Sequence, residues 1–287
     1  MLFFDRQWFL QVLYDQIKHK DRILLNSGIN SIRDTDSGIE ILTARGQVYS
    51  GAMVVGADGI HSVVRGEMAR IASETPTTAF ATNSEEHVAC YYKCTFGIAQ
   101  NIAQWHNSEQ CFTIGHGITF LVASGPQNRF LFVRLLKILY GKDIPRYTRD
   151  DEAKFVKKYQ GFAITENLTF GQVYSQRLTS TLTPLHEIVF KKWSLSRMLL
   201  VGDSAHKPNP IGGMGGNGAI ESVAELINAL LDAMTDADFG SVFTRMQDAR
   251  YERAKFTAKS SHAMQALFAS EEPFLSYVVW KIIAPMM

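Results

Sequence analysis

The sequence predicts an α/β fold with a three-layer region of strands and helices, an inserted region of mostly antiparallel strands and a long C-terminal helix. The apolar run Ala52–Val55 enters a Gly-Asp-Gly turn and then a helix, which is typical of a βα unit in a parallel sheet. From Ala89 onward, apolar and polar residues alternate with the period of half-buried strands. Phe239–Ala269 combines alternating charge with a helical apolar stripe, which predicts a long amphipathic helix.

Composition narrows the functional class. The chain has 287 residues, of which 46% are hydrophobic and 20% charged, as in an ordinary globular protein. Its formal net charge of +1 gives no electrostatic basis for binding nucleic acid. Cys90, Cys94 and Cys111 are an odd set without a Cys-x-x-Cys pair, which predicts a reducing compartment without disulfides or a zinc site.

The chain is expected to divide into the segments 1–72, 88–190 and 191–287, with the polar stretch Ser73–Val88 as the loop between the first two. No signal peptide is visible, so we expect a cytoplasmic protein. The C-terminal stretch Pro273–Met287 is apolar, but it is shorter than a spanning helix and contains Lys281. We favour a packed terminal helix there, with a membrane-surface contact or the first part of a longer span as the alternatives.

The first segment begins with an amphipathic helix, for which Asp5 is the predicted N-cap. Its apolar residues fall on one face: Trp8, Phe9, Val12, Leu13 and Ile17. Short strands are expected to follow, with a hairpin turn at Arg45-Gly46 between the second and the third. The predicted strands are Ile23–Leu25, Ile39–Thr43, Gln47–Tyr49 and Ala52–Val55.

The second segment is predicted to be a β region with one short helix at Asp150–Tyr159. Its expected strands are Tyr91–Ile98, Cys111–Ile114, Ile118–Ala123, Phe130–Leu135, Val173–Leu178 and Ile188–Phe190. Thr183-Pro184 is expected to lie between the last two of these strands.

The most informative stretch is Met198–Glu225. A short buried strand, Met198–Val201, enters a turn-rich loop that carries Asp203. Five glycines around Asn217 then lead into a helix, and such a loop lets a ligand approach bare backbone N–H groups at the positive end of the helix dipole. The literal Gly-x-Gly-x-x-Gly pattern at 213–218 is not a dinucleotide fingerprint, because no strand leads straight into it.

The order of acid, Pro, glycine turn and helix resembles the second flavin-contacting motif of FAD-dependent monooxygenases of the aromatic-hydroxylase (PHBH-like) type. The matching positions are Gly202, Asp203, Ser204, Ala205, His206, Pro210, Gly213, Gly215 and Asn217. The run Gly56–Arg65 resembles the Asp-Gly motif of the same enzymes. Tyr92–Ile98 and His206-Lys207 are most similar to fungal monooxygenases of terpenoid, meroterpenoid and indole-diterpene (paxilline-type) pathways.

The resemblance implies FAD as cofactor, NADPH as reductant and a flavin C4a-hydroperoxide that gives one oxygen atom to a small hydrophobic, terpenoid-type substrate. It implies that Asp203 holds the ribityl hydroxyls, that Gly215, Gly216 and Asn217 face the flavin ring, and that Arg6 meets cofactor charge. Catalytic residues stay unknown, because Gly115 stands where relatives carry a Tyr. The family's N-terminal strand with a true Gly-x-Gly-x-x-Gly turn is not found before Arg6, so the predicted FAD-binding fold is N-terminally truncated.

Two other functions compete with this one. A degenerate paralogue could work without flavin as a cyclase, an isomerase or a binding partner. A serine hydrolase would use Ser204 of the Gly-Asp-Ser run, although adjacent residues such as Asp203 and His206 cannot form a triad. The scattered histidines lack a metal-binding spacing, so no metal is predicted. The oligomeric state is left open.

Overall fold

The computed structural model describes residues 6–74, 86–103, 105, 110–115, 118–127, 129–140, 144–233, 238–269 and 273–279. The chain divides into two compact units. The first, called here the β unit, combines Met1–Ile23, Cys90–Leu185 and Gln265–Met287; the second, the α/β unit, combines Leu24–Ala89 and His186–Met264. The segment boundaries at 72, 88 and 190 stay a prediction, because they divide the sequence and not compact units.

The helices are α1 (Arg6–Gln16), α2 (Val63–Glu74), α3 (Arg149–Tyr159), α4 (Phe170–Ser175), α5 (Gly215–Asp232), α6 (Phe239–Phe268) and α7 (Pro273–Val278). Short 3₁₀ turns lie at Lys20–Arg22, Gly202–Ser204 and Pro210–Gly212. The strands are β1 (Ile29–Thr35), β2 (Gly38–Thr43), β3 (Val48–Gly51), β4 (Val54–Gly56), β5 (Ala89–Gln100), β6 (Gln110–Gly115), β7 (Ile118–Ser124), β8 (Arg129–Tyr140), β9 (Ala163–Thr165), β10 (Leu168–Thr169), β11 (Arg177–Val189), β12 (Ser194–Leu195), β13 (Met198–Leu200) and β14 (His206–Lys207).

The predicted βα unit is confirmed in the α/β unit. β4 pairs in parallel with β13, and β12 adds an antiparallel strand on the other side of β13. α2 packs on this sheet where β4 ends at Gly56. A Cβ on Gly56 would lie 2.8 Å from Val64 Cβ and 2.9 Å from Leu200 Cδ2, so only glycine permits this approach of helix and strand.

A second, antiparallel sheet has the order β1-β2-β3. The turn at Arg45-Gly46 joins β2 to β3 as predicted, and Gly46 adopts a φ of +78°. The strand predicted at Ile23–Leu25 is wrong, and the true first strand, Ile29–Thr35, was missed. Its sequence is mostly polar because only Ile32 is buried, so it carries little of the apolar alternation that marks a strand.

One apolar core fills the α/β unit, and its largest fully buried side chains include Trp193, Phe243 and Met68. The long amphipathic helix is confirmed as α6. α5 buries Ser222, Leu226 and Ala229. Three apolar residues of α5 are exposed: Ile220, Val223 and Ile227.

The β unit contains a sheet with the order β11-β5-β8-β7-β6. Phe120 in β7 is buried, with the ring centroids of Phe162 and Phe170 at 4.5 and 5.0 Å. α3 confirms the helix predicted near Asp150. The predicted strands on β5, β6, β7 and β8 are also confirmed.

Of the two strands predicted near the end of the β region, Val173–Leu178 is wrong, and Ile188–Phe190 is confirmed as the end of a longer strand, β11. Residues 170–175 form α4, which Thr169 begins with a capping box, and β11 then runs through Pro184 without a break. β14 pairs with Ile188 and Val189, which follow Pro184, so the missing N–H of Pro184 removes no hydrogen bond to β14.

Both terminal helices leave large apolar side chains exposed among the described residues. α1 has no buried residue, and its proposed cap, Asp5, lies outside the described residues. In α7, Phe274 and Tyr277 are exposed, and residues 280–287 also lie outside the described part of the chain. Within the described residues, no helix combines the length and apolar character that crossing a membrane requires.

Two glutamines on α6 differ in how their amides are satisfied. Gln265 is fully buried, and its Nε2 and Oε1 have no hydrogen-bond partner among the described residues. Gln247 is half-buried; its Oε1 accepts from Trp193 N and its Nε2 donates to Lys191 O, both at 2.8 Å. A buried unpaired amide costs free energy, whereas a paired one links the helix to the chain beside it.

We therefore expect opposite effects from the same substitution at these positions. Gln265→Met removes the unpaired amide and should raise the free energy of unfolding by about 1 kcal/mol or more. Gln247→Met breaks two hydrogen bonds and should lower it by about 1–2 kcal/mol. Thermal unfolding of both variants beside the wild type measures the difference. A destabilised Gln265→Met protein would mean that this amide is satisfied in solution.

Candidate cofactor site

The acid of the candidate site stands directly after β13. The 3₁₀ turn Gly202–Ser204 carries Asp203, whose side chain is 35% exposed and forms an ion pair with Lys207. Gly202 has a φ of +63°, and a Cβ on it would lie 3.1 Å from Ala219 Cβ of α5. The turn therefore requires glycine both for its backbone conformation and for its contact with α5.

Ser204 anchors the same turn to the sheet. It is fully buried, and its Oγ lies 2.7 Å from Gly56 O and 2.8 Å from Val201 O, to one of which it donates. A buried hydroxyl committed to backbone carbonyls is not an accessible nucleophile. The nearby His206 ring nitrogen bonds Ser222 and not Ser204. The serine-hydrolase alternative is wrong on this geometry.

The glycine loop, defined here as residues 210–217, brings backbone N–H groups beside Asp203. α5 begins at Gly215, and Gly218 N is bonded to Met214 O, so the amides of residues 215–217 form the first turn. A Cβ on Gly215 would lie 3.9 Å from Asp203 Oδ1. A Cβ on Gly216 would meet no atom within 4 Å among the described residues, which leaves room for a ligand. Asn217 is exposed, and its Nδ2 lies 3.8 Å from Met214 Sδ.

His206 is a buried residue that contacts the first turns of α5. It is buried against Trp193, and its Nε2 lies 2.8 Å from Ser222 Oγ, which in turn donates to Gly218 O. Burial and the nearby charge of Arg250 lower the pKa of His206 to about 4. The imidazole is therefore neutral at neutral pH, and its Nε2 shares a hydrogen bond with Ser222 Oγ.

The Asp-Gly motif after β4 is used for capping. Asp58 Oδ2 accepts from Val63 N at 2.7 Å and from Val64 N at 3.1 Å, and Ser62 Oγ accepts from Arg65 N at 3.0 Å. These bonds satisfy N–H groups at the start of α2. The Asp58 carboxylate thus has a structural role at the start of α2.

Arg65, in the same motif, is buried and paired with Glu86 at 2.9 Å, with Phe190 beneath its guanidinium. Burial lowers the pKa of Arg65 to about 10, although Glu86 opposes this shift. Glu86 also accepts from Lys191 N. The pair therefore ties α2 to the chain that follows β11.

The remaining predicted residues lie in the β unit. Arg6 is exposed on α1, whereas Asp203, Gly215, Gly216 and Asn217 belong to the α/β unit, where the structure brings Asp203 beside Gly215. The cofactor role of Arg6 stays a prediction. Gly115 ends β6 opposite Ile118, and no catalytic side chain is assigned.

Lys93 on β5 is half-buried, and its Nζ lies 5.2 Å from the Tyr147 ring and 5.1 Å from the Phe155 ring. This places Lys93 in a cation–π contact with α3 and the loop before it.

A cleft of about 940 Å³ also lies in the α/β unit, but away from these residues. β1, β2 and α2 line it, with Arg33, Asp34 and Glu74 among its charged side chains. None of the predicted site residues lines it. Over the described residues, no group of three His, Cys, Asp or Glu side chains is placed to hold a metal ion, and the absence of a metal stays a prediction.

Sequence reasoning missed Lys207 as the ionic partner of Asp203. The four-residue spacing was visible, but it indicates a contact only inside a helix, and this segment is a turn followed by a short strand. It also missed Glu187, which bonds Asn209 just before the glycine loop. No local pattern joins two residues that come from different strands and loops.

Adjacent parallel strands that end in acid-bearing turns, one of them beside a helix start, are the arrangement by which many α/β proteins bind nucleotide cofactors. The chain belongs to the family described as FAD binding domain, whose model matches residues 49–259. This confirms the predicted FAD-binding fold and the resemblance on which it was based.

Two relatives are FAD-dependent monooxygenases of fungi. The chain is 32% identical over 268 residues to ausM of Penicillium brasilianum, covering 90% of this chain and 56% of that protein. It is 31% identical over 294 residues to janM of Penicillium janthinellum, covering 99% of this chain and 60% of that protein. The chain thus spans somewhat more than half the length of these curated relatives.

Solved structures share the fold at low identity. Klebsiella pneumoniae HpxO complexed with FAD and uric acid has a TM-score of 0.75 at 16% identity, covering 96% of this chain and 67% of that chain. The tetracycline destructase Tet(51) has a TM-score of 0.67 at 17% identity, covering 88% of this chain and 65% of that chain.

The buried, neutral His206 predicts acid sensitivity. Above about pH 6.5 its imidazole is neutral in both the folded and the unfolded chain. Between pH 6.5 and 4 the unfolded chain binds the proton first, so the free energy of unfolding falls as the pH falls. The full effect is about 3 kcal/mol, reached below pH 4.

Urea unfolding from pH 7 to pH 4 tests this, because His206→Gln should flatten the dependence on pH. His19→Gln, a change at an exposed histidine, is the control and should keep the wild-type slope. An equal slope for wild type and His206→Gln would contradict a neutral, buried His206.

Proposed function

We propose that this chain forms the flavin-proximal part of an FAD-dependent monooxygenase. The observation that carries the proposal is the placement of the Asp203 carboxylate beside Gly215, where the amides of α5 begin. A carboxylate accepts hydrogen bonds from hydroxyl groups. N–H groups at a helix start donate hydrogen bonds to an electron-rich ring or an anion. A flavin with its ribityl chain offers both kinds of group.

The residues present fit this half of the cofactor. Asp203 would accept hydrogen bonds from ribityl hydroxyls, and the first amides of α5, at Gly215, Gly216 and Asn217, would donate to the edge of the ring. The open space beside Gly216 leaves the ring room to approach the backbone. Bound FAD would supply the oxygen chemistry, with NADPH as the source of electrons. The chain would bind and orient the ring, and Arg6 would meet cofactor charge.

The substrate is proposed to be a small hydrophobic secondary-metabolite intermediate of terpenoid or meroterpenoid type. Support comes from the relatives named as FAD-dependent monooxygenases of Penicillium species. Hydroxylation and epoxidation are both compatible with insertion of one oxygen atom. A cytoplasmic location, with a C-terminal membrane contact as its extension, remains a prediction, and the oligomeric state is open.

One observation favours the flavin-free alternative, a degenerate paralogue acting as a cyclase, an isomerase or a binding partner. Asp203 is engaged by Lys207, so ribityl hydroxyls would have to compete with an ammonium group for the carboxylate. The two candidates differ in whether the chain takes up flavin, and one titration separates them.

That titration adds FAD to the purified chain and follows the loss of flavin fluorescence and the visible absorption bands. We expect saturable binding that Asp203→Ala weakens at least tenfold, because the variant loses hydrogen bonds to a charged acceptor. Asp232→Ala, which removes an exposed acid paired with Arg245, is the matched control and should bind as the wild type does. A folded chain that takes up no FAD would exclude the monooxygenase function for this polypeptide.

A further inference from the structure

Glu187 joins the start of the glycine loop to α6. Near the end of β11, its side chain is buried, and its two oxygens have different partners. Oε1 accepts from Asn209 Nδ2 at 2.8 Å, and Oε2 lies 2.9 Å from His262 Nδ1. One carboxylate therefore bridges a residue before the loop and a residue of the helix behind it.

Asn209 connects Glu187 to the backbone of the loop through two hydrogen bonds. It is fully buried, and its Oδ1 accepts from Ile211 N at 3.0 Å, which caps the 3₁₀ turn Pro210–Gly212. The amide of Asn209 thus holds Glu187 with its nitrogen and the loop backbone with its oxygen. Its orientation is fixed by the acceptor on one side and the donor on the other.

The loop also rests directly on α6. A Cβ on Gly212 would lie 2.8 Å from Ser261 Oγ, so glycine allows the backbone to touch the helix one residue before His262. Gly213 then turns with a φ of +65°, and its N donates to Pro210 O at 2.9 Å. Hydrogen bonds thus connect Glu187 through Asn209 to residues 210–213, which lead directly into the first turn of α5.

We propose that Glu187, Asn209 and His262 are positioning residues that hold the glycine loop in the form that receives the flavin. The inference rests on the proposed flavin role of this loop. None of the three has to touch the cofactor, since they act through the backbone of residues 210–213. Glu187 and Asn209 are buried and hydrogen-bonded, and buried side chains with satisfied hydrogen bonds restrict a loop to one conformation.

A reciprocal exchange tests the central contact. Asn209→Asp places a second carboxylate against Glu187, which should repel the loop from β11. Adding Glu187→Gln restores a donor–acceptor pair in the opposite sense, because the new amide donates to the new carboxylate. In the double variant the carboxylate at position 209 still offers an oxygen to Ile211 N, so the cap is retained.

Hydrogen exchange in the flavin-free protein is the first readout, because the amides of Ile211 and Gly213 are bonded inside the loop. Their exchange should become about tenfold faster or more in Asn209→Asp and return to within about threefold of wild type in the double variant. The affinity for added FAD, measured by flavin fluorescence, should fall and recover in the same order. Asn167→Asp, at an exposed turn of the β unit, is the matched control and should change neither quantity.

His262→Gln supplies a second test that does not depend on the folding of Asn209→Asp. Glutamine keeps the helix propensity of α6 and removes the imidazole from Glu187, so loop exchange should become several-fold faster. Unchanged exchange in both Asn209→Asp and His262→Gln overturns the inference, as does failure of the double variant to recover. If wild type binds no FAD but the exchange pattern appears, the proposed function fails and the loop-positioning role stands.

Discussion

The pairing of β4 with β13 at Gly56 is the constraint on which the rest of the site depends. Gly56 O accepts from Val201 N at 3.0 Å and lies 2.7 Å from Ser204 Oγ, while its missing Cβ admits Val64 and Leu200. Both strands therefore end together, and the turns that carry Asp58 and Asp203 begin at one edge of the sheet. Ligand sites in α/β folds form at such carboxyl ends because the chain leaves the sheet there as loops.

From that edge, close contacts fix the position of α5. Because Gly202 has no side chain, Ala219 of α5 can approach it closely. A Cβ on Gly218 would lie 3.3 Å from the ring of His206, so these two residues are also in close contact. His206 in turn reaches Ser222 through its neutral imidazole. The start of α5, where a ligand would meet free amides, is thus located by small residues and one buried ring, and flexible surface side chains contribute little.

The parts of the molecule that sequence could predict are those encoded in one continuous stretch. The strand, acid, glycine loop and helix around Asp203 follow one another along the chain, so their proximity follows from chain order. β1 was missed because burial of Ile32 alone leaves almost no alternation. The bridge between Glu187 and His262 joins residues 75 positions apart, and nothing local in either neighbourhood marks the other. Long-range polar pairs of this kind require the folded chain.

The two acids of the region differ in how easily a ligand could displace their partners. Asp203 and Lys207 are 35% and 25% exposed, and an ion pair that water reaches contributes at most about 1 kcal/mol. Hydroxyl groups of a bound cofactor can therefore replace Lys207 at little cost. Glu187 is buried, so breaking its hydrogen bond to the buried Asn209 would leave buried polar atoms unpaired. The proposed site would thus combine a partly exposed acid, whose ionic partner a ligand could replace, with a buried acid that keeps its partner and holds the loop.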